Sequence, residues 1–309
     1  MTGTGTYENP YIITTPAELY SMEDLGGASV YFALGANIDL CSPSWHSEFT
    51  PIVLNCAGFD GRGYSIRNIT AGRDGGEISV FTIPQGLSEL SMTGLTIENA
   101  VIRGMKATVF RSAEECTIHL HHCTFVYMMT VITPLSMGNE DGFFTSAAVT
   151  VDMELCTLAA KLVWNQQRAC FRYGNVSQSQ FRFDVDSTRM TSGAVQIWPL
   201  FRSVHFSDCC FFLELRDSRD TSSTKTARFA SSETTFSNCY FVVHSNDPVN
   251  VYFGGSLSSV CFYDSESTGE AVINMTYTLI GSRMLALTTA QCKSAAYLRS
   301  VGFTCGGDT

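Results

Sequence analysis

A three-residue phrase recurs along this chain, and few architectures can absorb it. It reads Leu95-Thr-Ile97, Cys123-Thr-Phe125, Cys156-Thr-Leu158, Ser179-Gln-Phe181, Cys209-Cys-Phe211, Cys239-Tyr-Phe241 and Val260-Cys-Phe262. The first position is small or medium and apolar in six of the seven, and the third is large and apolar in all seven. The phrases start 28, 33, 23, 30, 30 and 21 residues apart. A unit of that size, repeated with loops of unequal length, is the mark of a solenoid.

Each phrase opens a strand. Alternate residues from Cys209 are Cys209, Phe211, Leu213 and Leu215, and from Cys123 they are Cys123, Phe125, Tyr127 and Met129. A period of two with one apolar face means a strand with that face buried. Stacking equivalent strands about 4.8 Å apart turns the phrases into ladders that run along one core. Parallel strands joined by crossovers coil right-handed. The predicted fold is therefore all-β, a right-handed single-stranded parallel β-helix with short capping helices near both ends. Its expected inward ladder comprises Leu95, Cys123, Cys156, Cys209, Cys239, Phe125, Phe181, Phe211, Phe241 and Phe262.

This reading explains cysteine usage. The chain has 12 cysteines but no CxxC pair, which removes the usual zinc spacing. In a ladder, cysteine serves as a small buried hydrophobe. Cys41, Cys56, Cys292 and Cys305 fall outside the phrase and receive no role.

The organisation expected is one continuous solenoid: an N-terminal cap and opening coils over 1–70, a helical body over 71–286 and a C-terminal helix or docking tail over 287–309. Thr15-Pro16-Ala17-Glu18 has the pattern of a capped helix start and predicts a helix over 16–25 that stops at Gly26-Gly27. Thr288-Thr289-Ala290-Gln291 repeats that logic and predicts a second helix to about residue 301.

Composition narrows the partners. A net charge of −10 with no run of Lys or Arg argues against nucleic acid. The apolar stretches are too short to span a bilayer. Met1–Tyr7 lacks a basic region followed by an apolar one, so no secretory signal is expected. Charged residues reach only 16%, a poverty that points to surface covered by a partner or by the chain itself.

Asn9-Pro10-Tyr11-Ile12-Ile13, Glu18-Leu19, Ala36-Asn37-Ile38-Asp39-Leu40 and Phe59-Asp60-Gly61-Arg62-Gly63-Tyr64-Ser65-Ile66 follow one another in that order. This resembles the opening coils of pectate-lyase-like β-helix proteins found in bacterial surface adhesins and in phage of gut bacteria. The segment Gln291, Tyr297-Leu298 and Val301-Gly302-Phe303 is similar to a closing segment of the same group. Together these cover about a third of the chain. The resemblance implies the β-helix fold and little about function, because one fold hosts many. The Asp60-Gly61-Arg62-Gly63 stretch reads as a tight turn without chemistry.

Catalytic β-helices carry carboxylates on outward positions of adjacent coils. Five residues beyond the phrase heads lie Lys161, Asp184, Glu214 and His244, outward by parity. Two readings are open. Asp184 and Glu214 act as acid and nucleophile or base on a polysaccharide, with Lys161 or His244 assisting, or the row is a cross-strand charge ladder. The expected lyase and glycosidase motifs (paired Asp-Asp, Gly-His-Gly) are absent, which favours the ladder. His119 and His121 share one side of a strand and are candidate metal ligands, although such a pair is more often simply hydrogen-bonded. Trp45, Trp164 and Trp198 are candidates for sugar stacking or for loop packing.

Cys210, Phe212, Tyr240, Val242, Val126 and Met128 are outward yet apolar. A strand apolar on both faces is covered on both, so these residues are expected to form a subunit interface. The expected protein is non-enzymatic and needs no cofactor: a phage virion component, capsid decoration, head fibre or tail part, found on the particle. Its expected partners are itself as a homotrimer, other virion proteins and host-surface glycans. A polysaccharide lyase or hydrolase and a bacterial surface adhesin are the alternatives.

Overall fold

The computed structural model describes residues 1–41, 49–72, 77–104, 106–112, 114–131, 142–144, 149–164, 173–186, 196–197, 201–216, 225–231, 233–252, 255–274, 284–301 and 303. The chain is an all-β parallel β-helix and divides into two compact units, Met1–Ala160 and Lys161–Thr309.

Within Met1–Ala160 three parallel sheets surround the core. The first stacks Tyr11–Ile13, Gly27–Leu34, Cys56–Asp60, Glu89–Thr93, Cys116–His121 and Val149–Glu154. The second contains Ile38–Asp39, Ser65–Arg67, Thr96–Gly104 and Thr124–Val131, and the third Ile52–Val53, Glu77–Ile83, Lys106–Ser112 and Gly142–Phe144. The phrases lie over one another as their spacing predicts: Ile97 pairs with Phe125. Within Lys161–Thr309, Phe181 pairs with Phe211 and Phe211 with Phe241. Their rings stack with centroids 5.0 Å apart at both steps, tilted by only 12° and 9°. Rings repeating at the strand spacing fill the core and keep register, because a one-residue slip would turn every one of them to solvent.

The last phrase departs from expectation. Tyr240 pairs with Phe262 and Phe241 with Tyr263. The inward head is therefore Cys261, whose Sγ accepts a hydrogen bond from the Cys239 N–H at 3.4 Å. Phe262, expected in the inward ladder, faces outward and is buried there.

The cysteines also do more than fill space. Six of the seven phrase heads follow a residue in the left-handed region: Gly94, His122, Leu155, Gln178, Asp208 and Asn238 have φ between 47° and 61°. This single residue turns the chain from one sheet into the next. Just after it, Cys123 Sγ donates to His121 O at 3.5 Å, Cys156 Sγ to Glu154 O at 3.2 Å, Cys209 Sγ to Ser207 O at 3.1 Å and Cys239 Sγ to Ser237 O at 3.3 Å. Ser179 Oγ does the same to Ser177 O at 2.7 Å. The thiols accept as well, since the Cys123 N–H donates to Cys156 Sγ at 3.3 Å. A buried N–H at a corner, where the ladder is interrupted, needs such a partner.

The helices near the termini are shorter than expected. Helices α1 (Pro16–Tyr20) and α2 (Met22–Leu25) are separate turns divided at Ser21. Thr15 caps α1 as predicted, but Glu18 reaches past it to the Thr14 N–H. Helix α3 (Thr289–Cys292) has the full capping box of Thr288 and Gln291. A new helix, α4 (Ala295–Ser300), begins at Ser294, whose hydroxyl caps the Tyr297 N–H.

Candidate functional site: the outward rows

In Lys161–Thr309 the expected row forms in part. Asp184 pairs with Glu214 and Glu214 with His244. Their side chains are engaged with bases. Arg216 Nη2 donates to Asp184 Oδ2 at 2.9 Å, and His244 Nε2 lies 4.0 Å from Glu214 Oε1. His244 Nδ1 is 2.9 Å from the Ser267 carbonyl, which fixes the ring. Asp184 Oδ1 is buried and has no hydrogen-bond partner among the described residues. Lys161 is exposed on the strand Thr157–Trp164.

The outward apolar residues separate into two groups. Cys210 and Tyr240 are buried, and so is Phe262, because α3 and α4 fold back over them: Cys292, Tyr297, Leu298 and Val301 pack against a cluster of Cys210, Tyr240, Phe262, Leu287 and Phe303. The Phe303 ring stands edge-on to Tyr240 and Phe262, at 6.0 Å and 5.9 Å. Val242 is partly buried against the same cluster. This corrects the expectation of a subunit over Cys210 and Tyr240, since the chain supplies its own cover. Asp264 anchors it by accepting from Thr289 Oγ1 at 3.0 Å, and Glu266 Oε2 accepts the Thr289 N–H at 2.8 Å. Phe212 and Val126 remain open, 38% and 40% exposed, and Met128 is half-buried.

The first sheet of Met1–Ala160 carries a different outward face. His119 pairs with Asp152 and His121 with Glu154. His119 Nε2 lies 3.1 Å from Glu89 Oε1 and Nδ1 lies 3.4 Å from Asp152 Oδ2, so the ring sits between two carboxylates. His121 Nε2 is 3.6 Å from Glu154 Oε2. The two nitrogens of His119 address opposite partners, and among the described residues no group of three ligand-type side chains is arranged around one ion. Asp39 forms a similar cross-coil link, accepting from Asn68 Nδ2 at 3.0 Å and Arg67 Nε at 3.1 Å.

Several of the buried thiols are held protonated. Burial raises the Cys56 pKa to about 12 and also raises that of Cys239. Hydrogen bonding to the neighbouring thiol, then burial, raises Cys156 and Cys261. A thiol that stays neutral is a poor nucleophile and a poor metal ligand. Cys41 is exposed, Cys56 is buried in the core and Cys292, at the end of α3, packs against the Tyr240 and Phe262 cluster. Trp45, Trp198 and Cys305 lie outside the described residues, as does the Trp164 side chain.

Sequence reading missed the αL corner and its thiol hydrogen bonds, although Asp208 before Cys209 and Asn238 before Cys239 are legible turn signals. It also missed the Tyr240 hydroxyl contact with Cys292; burial first, and then this contact, raises the Tyr240 pKa. No sequence signal joins residues so far apart.

No protein-family model matches the chain. A stretch of 112 residues, 34% of the chain, is 32% identical to halomucin of Haloquadratum walsbyi and covers 1% of that protein's length. Among solved structures, the chain is similar to an immunoglobulin A1 protease candidate from Bacteroides ovatus. That likeness has 13% identity and a TM-score of 0.41 and covers 97% of this chain and 90% of the other. What the chain's own topology makes plain is its class: it is a parallel β-solenoid protein.

Proposed function

We propose that this chain is a non-enzymatic structural solenoid of a surface assembly, and specifically a bacteriophage virion component, a capsid decoration, head fibre or tail part that also contacts host-surface glycan. The observation that carries this reading is the use made of outward charge. The carboxylates Asp39, Asp184, Glu214, Glu89, Asp152 and Glu154 each face a basic neighbour on an adjacent coil. Side chains paired with one another brace the wall of a solenoid, whereas an acid–base pair poised for catalysis has to face a substrate. Self-association into a homotrimer through the outward Val126, Met128 and Phe212 positions belongs to the same proposal. Mass spectrometry of purified phage particles tests the location, and light scattering tests the trimer. A chain absent from particles of the phage that encodes it, or monomeric at high concentration, overturns the corresponding part.

One observation favours a second reading, a polysaccharide lyase or hydrolase: the buried, unpartnered Asp184 Oδ1. Buried acceptors without donors are uncommon and cluster at working sites. A reducing-sugar and unsaturated-uronate screen with the parent and Asp184→Asn separates the two. Cleavage that disappears in the variant replaces the structural reading.

A further inference from the structure

We propose that the outward face of the first sheet of Met1–Ala160 binds a neutral oligosaccharide, stacked on Tyr7 and Tyr31 at one end and hydrogen-bonded by Glu89, His119 and Asp152 at the other. This deepens the attachment side of the proposed function and rests on it.

The register lines up one outward row: Tyr31, Gly58, Ser91, His119 and Asp152 lie on successive coils. From Tyr31 to His119 the row crosses three strand spacings, about 14 Å, room for a short oligosaccharide. Gly58 controls the aromatic end. A Cβ built there would lie 2.6 Å from Tyr31 Cδ1 and 2.8 Å from Cε1, so the ring lies down over the neighbouring coil in the space a side chain would take. The Gly58 backbone is not left-handed; it is the ring, and not the turn chemistry, that requires glycine. Tyr7 stands nearly perpendicular to it, with centroids 5.4 Å apart and planes at 79°, and is 75% exposed. Together the two rings make a floor and a wall. Ser91, exposed and small, then leaves the middle of the row low.

The far end is polar and already ordered. His119 is held between Glu89 and Asp152 before any ligand arrives, so binding need not freeze these side chains anew. Tyrosines add contact area with few torsions to lose. A pyranose matches this surface: its C–H face lies on an aromatic ring and its hydroxyls reach fixed carboxylates and imidazole. Charge selects the class. Glu89 and Asp152, with Asp60 and Glu154 on the adjacent outward row, outnumber Arg62 and protonatable His119 and His121. Such a face repels uronates and sulfates.

The test uses the full chain and four probes: N-acetylchitotetraose, cellotetraose and maltotetraose as neutral chains, and tetragalacturonate as the acidic one. Titration calorimetry is expected to detect at least one neutral probe and not the acidic one. Tyr7→Ala, at an exposed position, is expected to weaken that probe at least tenfold, Gly58→Val to weaken it by displacing Tyr31, and Tyr7→Trp to retain it. Binding by none of the neutral probes at millimolar concentration, preferential binding of tetragalacturonate, or unchanged affinity in Tyr7→Ala overturns the site. Particle mass spectrometry keeps the two readings apart: a chain found on particles that binds no probe removes this site and leaves the structural role standing.

Discussion

The outward face of Glu89–Thr93, Cys116–His121 and Val149–Glu154 and the outward face of Cys210–Arg216, Tyr240–Tyr252 and Cys261–Asp264 are built from the same backbone and differ only in what alternates with the core residues. The first presents Ser91, Thr93, His119, His121, Asp152 and Glu154 and stands open. The second presents Cys210, Tyr240 and Phe262 near the corner and is roofed by α3 and α4. A β-helix wall is thus a neutral substrate: its inward residues set register, and its outward residues decide whether the wall is left to solvent or closed by more chain.

Removing a piece of the roof should have the largest effect. Phe303 is buried against Tyr240 and Phe262, and Phe303→Ala is expected to cost about 3–5 kcal/mol within its unit. Loss of α3 and α4 protection in hydrogen exchange and new hydrophobic-dye binding should accompany it. On the open face, Ser91→Val should change stability by less than about 0.5 kcal/mol. Equal losses at the two positions in chemical denaturation would end the contrast.

Beneath both faces lies the same corner, which should respond alike in both. Cys239 Sγ donates to Ser237 O, and the Cys239 N–H donates to Cys261 Sγ. Cys261→Ala leaves that buried N–H without its acceptor and is expected to cost about 1–3 kcal/mol. Cys261→Ser should recover much of it, as Ser179 occupies a corner naturally with its hydroxyl on Ser177 O. Urea melts in which alanine and serine behave identically would return cysteine to the part of a passive filler.

How much of this was legible follows from the same residues. The phrase placed Ile97 over Phe125 and Phe181, Phe211 and Phe241 in one stack because two-residue alternation and ring size repeat together. It misplaced Phe262 because Val260-Cys-Phe262 and Cys261-Phe-Tyr263 both satisfy an apolar pattern. Only the corner hydrogen bond to Cys261 Sγ distinguishes them, and that bond is invisible when cysteine is read as a hydrophobe. Apolar outward residues correctly announced a cover, but which segment supplies it depends on contacts between residues about 50 to 60 positions apart, such as Tyr240 with Phe303 and with Cys292. The split of the C-terminal helix was readable in principle: Ser294 is a capping residue in the middle of the predicted span. The His119 bracket was half legible, since the shared side of His119 and His121 follows from parity while Glu89 and Asp152 come from other coils.

The corner also carries strain that differs along the column. Gly94, Asp208 and Asn238 suit the left-handed region, but Leu155 sits there with φ 54°. A left-handed conformation costs a residue with an ordinary side chain about 1–2 kcal/mol, and asparagine tolerates it better. Leu155→Asn should therefore stabilise Met1–Ala160 by about 0.5–1 kcal/mol, with Leu155 half-buried so that little packing is lost. An unchanged or lowered midpoint would mean that the leucine side chain contributes more than its backbone loses.

The smallest effect belongs to the exposed charge links, and pH isolates it. Asp39 accepts from the Asn68 amide and the Cys41 N–H, which with Arg67 hold its pKa below the usual carboxylate value. A group whose pKa is lower folded than unfolded binds protons more readily in the unfolded chain. Its stabilising contribution is therefore complete above the unfolded value, about 3.9, and disappears as pH falls through the lower folded value. Asp39 is solvent-exposed, so the contribution is small and salt weakens it further. Melting the parent and Asp39→Asn in parallel from pH 6 down to pH 3 should show a modest deficit for the variant at the upper end that closes toward the lower. A deficit that persists unchanged at pH 3 would mean that the asparagine disturbs packing, and that Asp39 acts on this open wall through its shape and not its charge.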